Sequence, residues 1–198
     1  ATVRRPERQD RGRAAIVGGG PAGLSAALEL ARAGYAPEVF EKFPVAGGMP
    51  STSVPPYRLP REVIRQDVDW ICAHGVQVHT GVEIGKDRTV EQLRAEGFDA
   101  VLIATGLARS RMLDLPGADH PRVLGVLEFL TELAFERRPD VGADVLVIGG
   151  GNVAMDAARS AARLGARRIR ALCLENEEEM PAWDWERDEA VAEGVEIC

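Results

Sequence analysis

Residues 14–23 read AAIVGGGPAG, four apolar residues followed by a glycine turn of the form GxGxxG. A short apolar run is typical of a buried parallel strand, and the leucines and alanines of residues 24–33 recur at helical spacing. Gly34 is expected to end that helix as a C-terminal cap. A strand, a glycine turn and a helix in this order predict a βαβ unit that binds a dinucleotide.

The glycines of this turn have separate steric roles. Gly18 permits the tight turn, Gly20 lets the backbone approach a pyrophosphate, and Gly23 lets the helix pack closely on the strand. The free N–H groups and positive dipole at the start of the helix favour a bound anion. The candidate cofactor contacts here are Gly18, Gly19, Gly20, Pro21, Ala22 and Gly23.

The next strand is predicted over residues 37–41 and ends on an acid. Glu41 lies 18 positions after Gly23 (41 − 23 = 18), where an acidic side chain bonds a ribose hydroxyl in this fold. The turn and the acid together favour a nucleotide site over a simple glycine turn. They do not distinguish FAD from NAD.

A second fingerprint follows 131 residues after the first (149 − 18 = 131). Residues 144–148 predict a strand, 149–154 read GGGNVA, 155–164 predict a helix capped by Gly165, and 168–174 predict the next strand. Recurrence of the whole pattern favours two sites over an internal repeat with one inactive copy. The candidate contacts are Gly149, Gly150, Gly151, Asn152, Val153 and Glu175.

Further motifs lie between the two fingerprints. GPAGLSAA at residues 20–27, GGM at 47–49, PPYRLPREV at 55–63 and Ala104-Thr105-Gly106 resemble the small (beta) subunit of glutamate synthase and its relatives. Those relatives include the flavin-containing N-terminal portion of dihydropyrimidine dehydrogenase. The resemblance runs from about residue 13 to the last residue. The sequence departs from the family at residues 50–53, where PSTS replaces an apolar-Arg-aromatic-Gly stretch.

The resemblance implies FAD on the first fingerprint and a nicotinamide cofactor on the second. Beyond the glycine turn, it implies FAD contacts at Glu41, Gly48, Met49, Arg58, Ile84, Thr105 and Gly106. Without the resemblance, Met49 and Ile84 would be interpreted as core residues and Arg58 as a surface charge.

Two such sites in one chain have an economical explanation, a bound flavin that accepts hydride from a diffusible nicotinamide. The prediction is an NAD(P)H-dependent FAD oxidoreductase that passes electrons to an iron–sulfur or other catalytic partner. No catalytic residue is assigned, because hydride transfer between stacked rings needs positioning more than an acid or base. The alternatives are a nucleotide-binding redox sensor or assembly module without turnover, and a dehydrogenase in which the first fingerprint also binds NAD.

The end of the second βαβ unit bears on the choice of nicotinamide cofactor. Relatives that use NADP carry two basic side chains where this sequence has Leu174 and Glu175. A carboxylate repels a 2′-phosphate but can bond a ribose 2′-hydroxyl, which favours NAD(H) over NADP(H). Arg167, Arg168 and Arg170 are the counter-argument, since one of them could reach a phosphate.

The predicted fold class is therefore α/β with two Rossmann-like βαβ domains of the FAD/NAD(P)-binding type. The expected organisation is a flexible tail over residues 1–12, an FAD-binding domain over 13–121 and an NAD(P)-binding domain over 122–198. The second domain is expected to be incomplete at its C-terminus, because residues 195–197 begin a third strand. We accordingly expect a fragment of a longer polypeptide that is not active alone.

Composition limits the partners. The 31 acidic and 24 basic residues give a net charge of −7, which opposes binding to nucleic acid or to an anionic membrane. The three cysteines form no CxxC pair, so no metal site is predicted and a cytoplasmic location fits best. No apolar run is long enough for a membrane span.

Three smaller predictions concern the rest of the second half and the histidines. Pro181 is expected in the first turn of a helix that ends near Glu193. Trp183 and Trp185 are two positions apart, so one is expected to pack and the other to be exposed. The histidines, His74, His79 and His120, are expected on the surface.

Overall fold

The computed structural model describes residues 11–176 and 178–198. They form two compact units. The first unit runs to Thr52 and continues over Pro56–Ala108, and the second comprises Ser53–Pro55 and Arg109–Cys198. The predicted domains divide instead between residues 121 and 122. Compact units are defined by contacts within the chain, whereas the predicted domains are defined by the cofactor that each binds. The predicted domain boundary therefore stays a prediction.

The predicted N-terminal tail falls mostly outside the described part of the chain, which begins at residue 11. Its last residue, Gly12, is attached to the first unit, since its carbonyl accepts a bond of 2.9 Å from the Ala36 N–H. Arg11 is also bonded to this unit, its N–H donating to the Gly34 carbonyl at 3.4 Å, and the flexibility of residues 1–10 stays a prediction.

The first unit is built on a parallel sheet. Its strand order is β3-β2-β1-β4, and every neighbouring pair is parallel. In chain order the elements are β1 (Arg13–Val17), α1 (Pro21–Arg32), β2 (Ala36–Glu41), α2 (Met49–Thr52), α3 (Arg61–Cys72), β3 (Gln77–Thr80), α4 (Val90–Ala95) and β4 (Ala100–Ile103).

Alternate residues of β1 and β2 point to opposite faces of this sheet, and both faces are covered. One face carries a cluster of Ala15, Val17, Phe40, Leu93 and Phe98. The other carries Ile16, Ala27, Ala31, Val39 and Val76. Because β1 is buried on both sides, it needs the continuous apolar run that the sequence has, rather than an alternating pattern.

The helix α1 lies so close to the end of β1 that no side chain fits between them at Gly23. A Cβ on Gly23 would lie 2.0 Å from the Gly18 carbonyl oxygen and 3.1 Å from Cγ2 of Ile16. This close approach explains the third glycine of the fingerprint.

The second unit has a smaller parallel sheet of order β5-β6-β7. Its elements are α5 (Val126–Ala134), β5 (Asp144–Ile148), α6 (Asn152–Leu164), β6 (Arg168–Leu172), α7 (Asp184–Ala192) and β7 (Val195–Ile197). The main core cluster includes Met155 and Ala158 from α6, Ile169 from β6 and Ala190 from α7. The α/β class with two strand–glycine turn–helix units is therefore confirmed. Over the two described stretches, no helix combines the length and apolarity needed to span a bilayer.

Two local predictions about the second half were wrong. The last helix begins at Asp184 instead of Pro181, because Met180 and Ala182 are drawn into the core and the Ala182 N–H donates to the Gly150 carbonyl at 2.9 Å. Trp183 and Trp185 are both exposed, by 65% and 51%.

The prediction for the histidines also failed at one position. His74 is buried, with its Nδ1 2.9 Å from the carbonyl oxygen of Trp70. Trp70 lies in the last turn of α3, and His74 follows the C-cap of that helix four positions later.

An ion-pair network joins α6 to α7. The guanidinium of Arg159, 6% exposed, contacts the carboxylates of Glu189 and Glu193, and Glu193 also binds Arg163. Partial burial of Glu193 raises its pKa, but the bonds from Arg159 and Arg163 outweigh this effect and hold the pKa of that carboxyl below its ordinary value. The bonds of Glu193 in this network therefore stabilise the folded unit most when its carboxyl is ionised.

Glu193→Gln is expected to lower the free energy of unfolding by about 2 kcal/mol at neutral pH, because it leaves the buried Arg159 with a weaker acceptor. A carboxyl whose pKa is lower in the folded state stabilises at pH values above its unfolded pKa of about 4.3, and the stabilisation is lost as pH falls through the folded value. Urea unfolding at pH 7 and at about pH 3 should therefore give a difference between variant and wild type that shrinks in acid.

Glu29→Gln is the control for this variant, because Glu29 pairs with Arg32 on the exposed surface of α1 and such pairs contribute little. An equal loss in both variants at pH 7, or a loss for Glu193→Gln that is unchanged in acid, would contradict the assigned role of the network.

Gly23→Ala is expected to destabilise the first unit by about 2 kcal/mol, although alanine favours helix, because the turn must move away from the new methyl group. Thermal unfolding measures the loss. Ser25→Ala, at an exposed position of the same helix, is the control and should leave the transition unchanged or slightly higher. Wild-type stability of Gly23→Ala would mean that the turn is not held where the close approach places it.

Candidate functional site

In the first unit, the carboxyl ends of the strands surround a cleft of about 200 Å³. The glycine turn follows β1, Glu41 ends β2, and residues 104–108 follow β4. The cleft lies at the sheet edge where ligands bind in open α/β folds. Its lining consists of Gly18, Gly20, Pro21, Ala22, Glu41, Lys42, Phe43, Gly48, Met49, Thr52, Ala104, Thr105, Gly106, Leu107 and Ala108.

The glycine turn is bonded to the neighbouring strand. The Gly18 N–H donates to the Phe40 carbonyl at 2.8 Å, and Gly18 has φ of +110°, a conformation that favours glycine. A Cβ at this position would lie 2.4 Å from the Ala104 carbonyl oxygen. The turn is therefore packed between the ends of β2 and β4, as its position after a central strand requires.

Glu41 has two contacts with backbone N–H groups. One carboxylate oxygen, Oε2, accepts from the Gly19 N–H at 2.7 Å, and the other, Oε1, accepts from the Phe43 N–H at 2.9 Å. The side chain is 6% exposed and lines the cleft. Each carboxylate oxygen can accept more than one bond, so Glu41 can hold the turn and still accept a ribose hydroxyl. The sequence predicted the ribose contact but not the contact with the turn.

The polar residues at the departure from the family pattern shape the loop opposite the turn. Ser51 Oγ donates to the Ala46 carbonyl at 2.7 Å, and Thr52 Oγ1 donates to the Gly48 carbonyl at 3.2 Å. This loop is bonded to the turn, since the Gly47 N–H donates to the Gly19 carbonyl at 2.7 Å. The serine and threonine hydroxyl groups therefore bond the backbone beside the cleft, and Thr52 also lines it.

Most of the predicted contacts of the first site come together here. Met49, 39% exposed, lines the cleft beside Thr105 and Gly106. Ile84 packs against the core cluster of Phe40, Leu93 and Phe98, and neither it nor the half-buried Arg58 belongs to the lining. Their cofactor contacts stay predictions. Sequence reasoning missed Lys42, Phe43, Thr52, Leu107 and Ala108, although the positions just after β2 and β4 were the available signal.

The start of α1 fits an anionic group. Its N-cap is Gly20, which has no side chain to bond the first N–H groups of the helix, and Pro21 occupies the first helical position. A Cβ on Gly20 would meet the Cα of Gly48 at 3.6 Å, so the space in front of the helix is bounded by backbone. Unbonded N–H groups that face a cleft can hold a pyrophosphate.

The second unit repeats this geometry at its own glycine turn. The Gly149 N–H donates to the Leu172 carbonyl at 2.8 Å, and Gly149 has φ of +139°. The N-cap of α6, Gly151, again provides no side-chain bond, and a Cβ placed there would meet nothing within 4 Å among the described residues. The helix start is thus open to a second anionic group.

The segment after β6 borders this second turn. A Cβ on Gly150 would lie 2.9 Å from Cβ of Cys173 and 3.3 Å from Oε2 of Glu175. Asn152 is anchored from the same segment, because its Oδ1 accepts from the Trp183 N–H at 2.9 Å. The predicted contacts Gly150, Asn152 and Glu175 therefore lie close together.

The arginines of β6 lie elsewhere in that unit. Arg168 and Arg170 occupy exposed positions that alternate with buried Ile169 and Ala171, and they precede the carboxyl end of the strand. Arg167 is bonded through its backbone N–H to the Ala143 carbonyl at 2.8 Å, at the opposite end of the strand. The exposed Glu175, rather than one of these three arginines, lies beside the glycine turn.

Comparison with known proteins identifies the family of the chain. Residues 12–197 match the family model described as pyridine nucleotide-disulphide oxidoreductase. The chain is 45% identical over 184 residues to the NADP(+)-dependent formate dehydrogenase subunit beta of Moorella thermoacetica, covering 91% of this chain and 26% of that protein. It is 33% identical over 206 residues to the glutamate synthase [NADPH] small chain of Azospirillum brasilense, covering 98% and 42%.

Among solved structures, FprA of Mycobacterium tuberculosis in complex with NADPH has the same fold, with a TM-score of 0.78 and 23% identity over 93% of this chain and 48% of that one. The chain thus spans about a quarter of the length of the first sequence relative and about two fifths of the length of the second. The resemblance to the glutamate synthase small subunit is confirmed. By its two glycine turns and the match over residues 12–197, the chain belongs to the pyridine nucleotide-disulphide oxidoreductase family.

Proposed function

We propose that this chain is the FAD- and NAD(P)H-binding part of an oxidoreductase in which NAD(P)H reduces FAD and electrons pass to an iron–sulfur partner. The observation that carries the proposal is the repeated turn. In each unit a glycine with positive φ follows a strand and bonds the neighbouring strand, and an open helix start follows. The names of relatives that use NADP(H) support the nicotinamide half.

FAD is assigned to the first unit. The start of α1 would hold the pyrophosphate, and Glu41 would accept a ribose hydroxyl. Met49, Thr105 and Gly106 would line the rest of the site, and Arg58 and Ile84 would complete it. When bound, a flavin accepts hydride from a nicotinamide and can release electrons one at a time.

The nicotinamide cofactor is assigned to the second unit. Gly150, Gly151, Asn152 and Val153 would contact its pyrophosphate at the start of α6. The role of these residues is to hold the cofactor in position, which is the main requirement for transfer between stacked rings. An acid–base residue is therefore not needed for this step.

The test uses matched alanines at the two helix N-caps, Gly20 and Gly151. Both have φ values open to any residue, −81° and −92°, and neither Cβ would meet a protein atom closer than 3.6 Å. A methyl group at either position would occupy ligand space rather than disturb the fold. We expect the complete protein to which this chain belongs, once purified, to have the visible absorbance of oxidised flavin and to lose it when NAD(P)H is added without oxygen.

Gly20→Ala should weaken flavin binding about tenfold, whereas Gly151→Ala should keep the flavin and weaken NAD(P)H binding about tenfold. Flavin binding is measured as the flavin that remains with the protein after gel filtration. NAD(P)H binding is measured by titrating the nucleotide and following the absorption spectrum. A colourless wild type that binds NAD(P)H would contradict the flavin assignment. A flavin that no pyridine nucleotide reduces would favour a redox sensor or assembly module.

The choice between the nicotinamide cofactors is a separate proposal. The sequence relatives are named for NADP(H), which does not support the predicted preference for NAD(H). In this chain the exposed Leu174 and Glu175 follow β6, with Glu175 beside Gly150. A carboxylate at that place repels a 2′-phosphate of about −1.5 to −2 charges. We therefore propose that this chain uses NADH better than NADPH.

Replacing Leu174 and Glu175 together by arginine should raise the rate of flavin reduction by NADPH relative to NADH by about tenfold or more. The reason is that guanidinium groups, which can bond a phosphate in a bidentate manner, replace a carboxylate that repels it. The control is Glu178→Arg, which makes a charge change at a nearby exposed position of the same loop and should leave the ratio unchanged. A wild type that already prefers NADPH would show that Glu175 does not select the cofactor.

A further inference from the structure

Trp183 is a large apolar side chain in an unusual place. It is 65% exposed and is the N-cap residue of α7, directly after the segment that borders the second glycine turn. Burial of an indole is normally favourable by about 2–3 kcal/mol, so packing within the described residues does not account for this tryptophan.

The backbone of Trp183 is held on both sides. Its N–H donates to Oδ1 of Asn152 at 2.9 Å, and its carbonyl accepts from the Glu186 N–H at 2.9 Å. The preceding residue, Ala182, is 4% exposed and donates its N–H to the Gly150 carbonyl at 2.9 Å. The Cα of Trp183 is therefore fixed next to the turn, while the ring remains in solvent.

The bonds of this segment also define which side of the turn it occupies. Asn152 is the first residue of α6, where a pyrophosphate would bind. Glu175 and Met180 flank Gly150, and the acid at the end of the second strand of a βαβ unit faces the ribose that carries adenine. Glu175, Met180 and Trp183 would thus border the adenosine half of a bound nucleotide.

We propose that the indole of Trp183 stacks on the adenine ring of the nucleotide bound by the second unit, and this inference rests on the proposed function. An indole offers a flat, uncharged face with a fixed backbone, which suits stacking on a base. Trp183 is then a residue that positions the cofactor, not one that reacts with it.

The second exposed tryptophan provides the matched control. Trp185 lies two positions later and inside α7, whereas Trp183 precedes that helix as its N-cap. Trp185 is 51% exposed. A variant at either position removes a similar area of exposed apolar surface.

The experiment measures binding of ADP-ribose, which contains the adenosine and the pyrophosphate but no nicotinamide, by calorimetry on the purified protein. Trp183→Leu, which keeps apolar bulk without a ring, should weaken binding about tenfold, and Trp183→Phe should stay within about threefold of wild type. Trp185→Leu should bind as wild type does. Thermal unfolding of each variant shows whether it is folded.

Fluorescence provides a reading that a purely structural role would not change. ADP-ribose should quench indole emission in Trp185→Phe, which retains Trp183, and should leave the emission of Trp183→Phe almost unchanged. Equal quenching in the two variants would overturn the proposal.

Two outcomes separate this proposal from the proposed function. If the wild type binds neither ADP-ribose nor NAD(P)H, the second unit is not a nucleotide site and both fail. If the wild type binds them and Trp183→Leu binds equally well, only the role of Trp183 fails. If Trp183→Leu loses affinity for nicotinamide mononucleotide but keeps its affinity for ADP-ribose, the assignment of Trp183 to adenine is also overturned.

Discussion

The structure depends on one backbone hydrogen bond that occurs in both units. The N–H of the first glycine of each turn donates to a carbonyl group near the end of the neighbouring strand. Gly18 donates to Phe40 and Gly149 donates to Leu172, each at 2.8 Å. This bond forces the chain to leave the strand at once, with a positive φ that favours glycine. It also directs the following helix so that its open start faces the sheet edge where ligands bind.

The parts of the fold that could be predicted are those controlled by such local constraints. The apolar run of β1, the glycine spacing and the position of Glu41 each reflect a steric or burial requirement that acts within one βαβ unit. The end of α6 at Gly165, with φ of +100°, is of the same kind. The parallel pairing of β1 with β2 and of β5 with β6 is of the same kind, because a βαβ unit places its two strands side by side.

The parts that could not be predicted depend on contacts between distant residues. Pro181 suits a helix start, but burial of Met180 and Ala182 and the bond to Gly150 keep the chain out of a helix until Asp184. The second role of Glu41 depends on a bond to Gly19, 22 residues away in sequence. Ser51 and Thr52 belong to the stretch that departs from the family pattern, and their hydroxyl groups bond the carbonyl groups of Ala46 and Gly48 beside the turn. None of these contacts leaves a periodic signal in the sequence.

The carboxylate of Glu41 has a consequence for how a ligand enters and leaves. Because its two oxygens already bond the N–H groups of Gly19 and Phe43, the shape of the turn is maintained by the protein itself and does not depend on a bound ligand. A receptor of this kind loses little conformational entropy on association. After the ligand dissociates, the cleft would accordingly keep its shape, so that another ligand can bind without refolding of the turn.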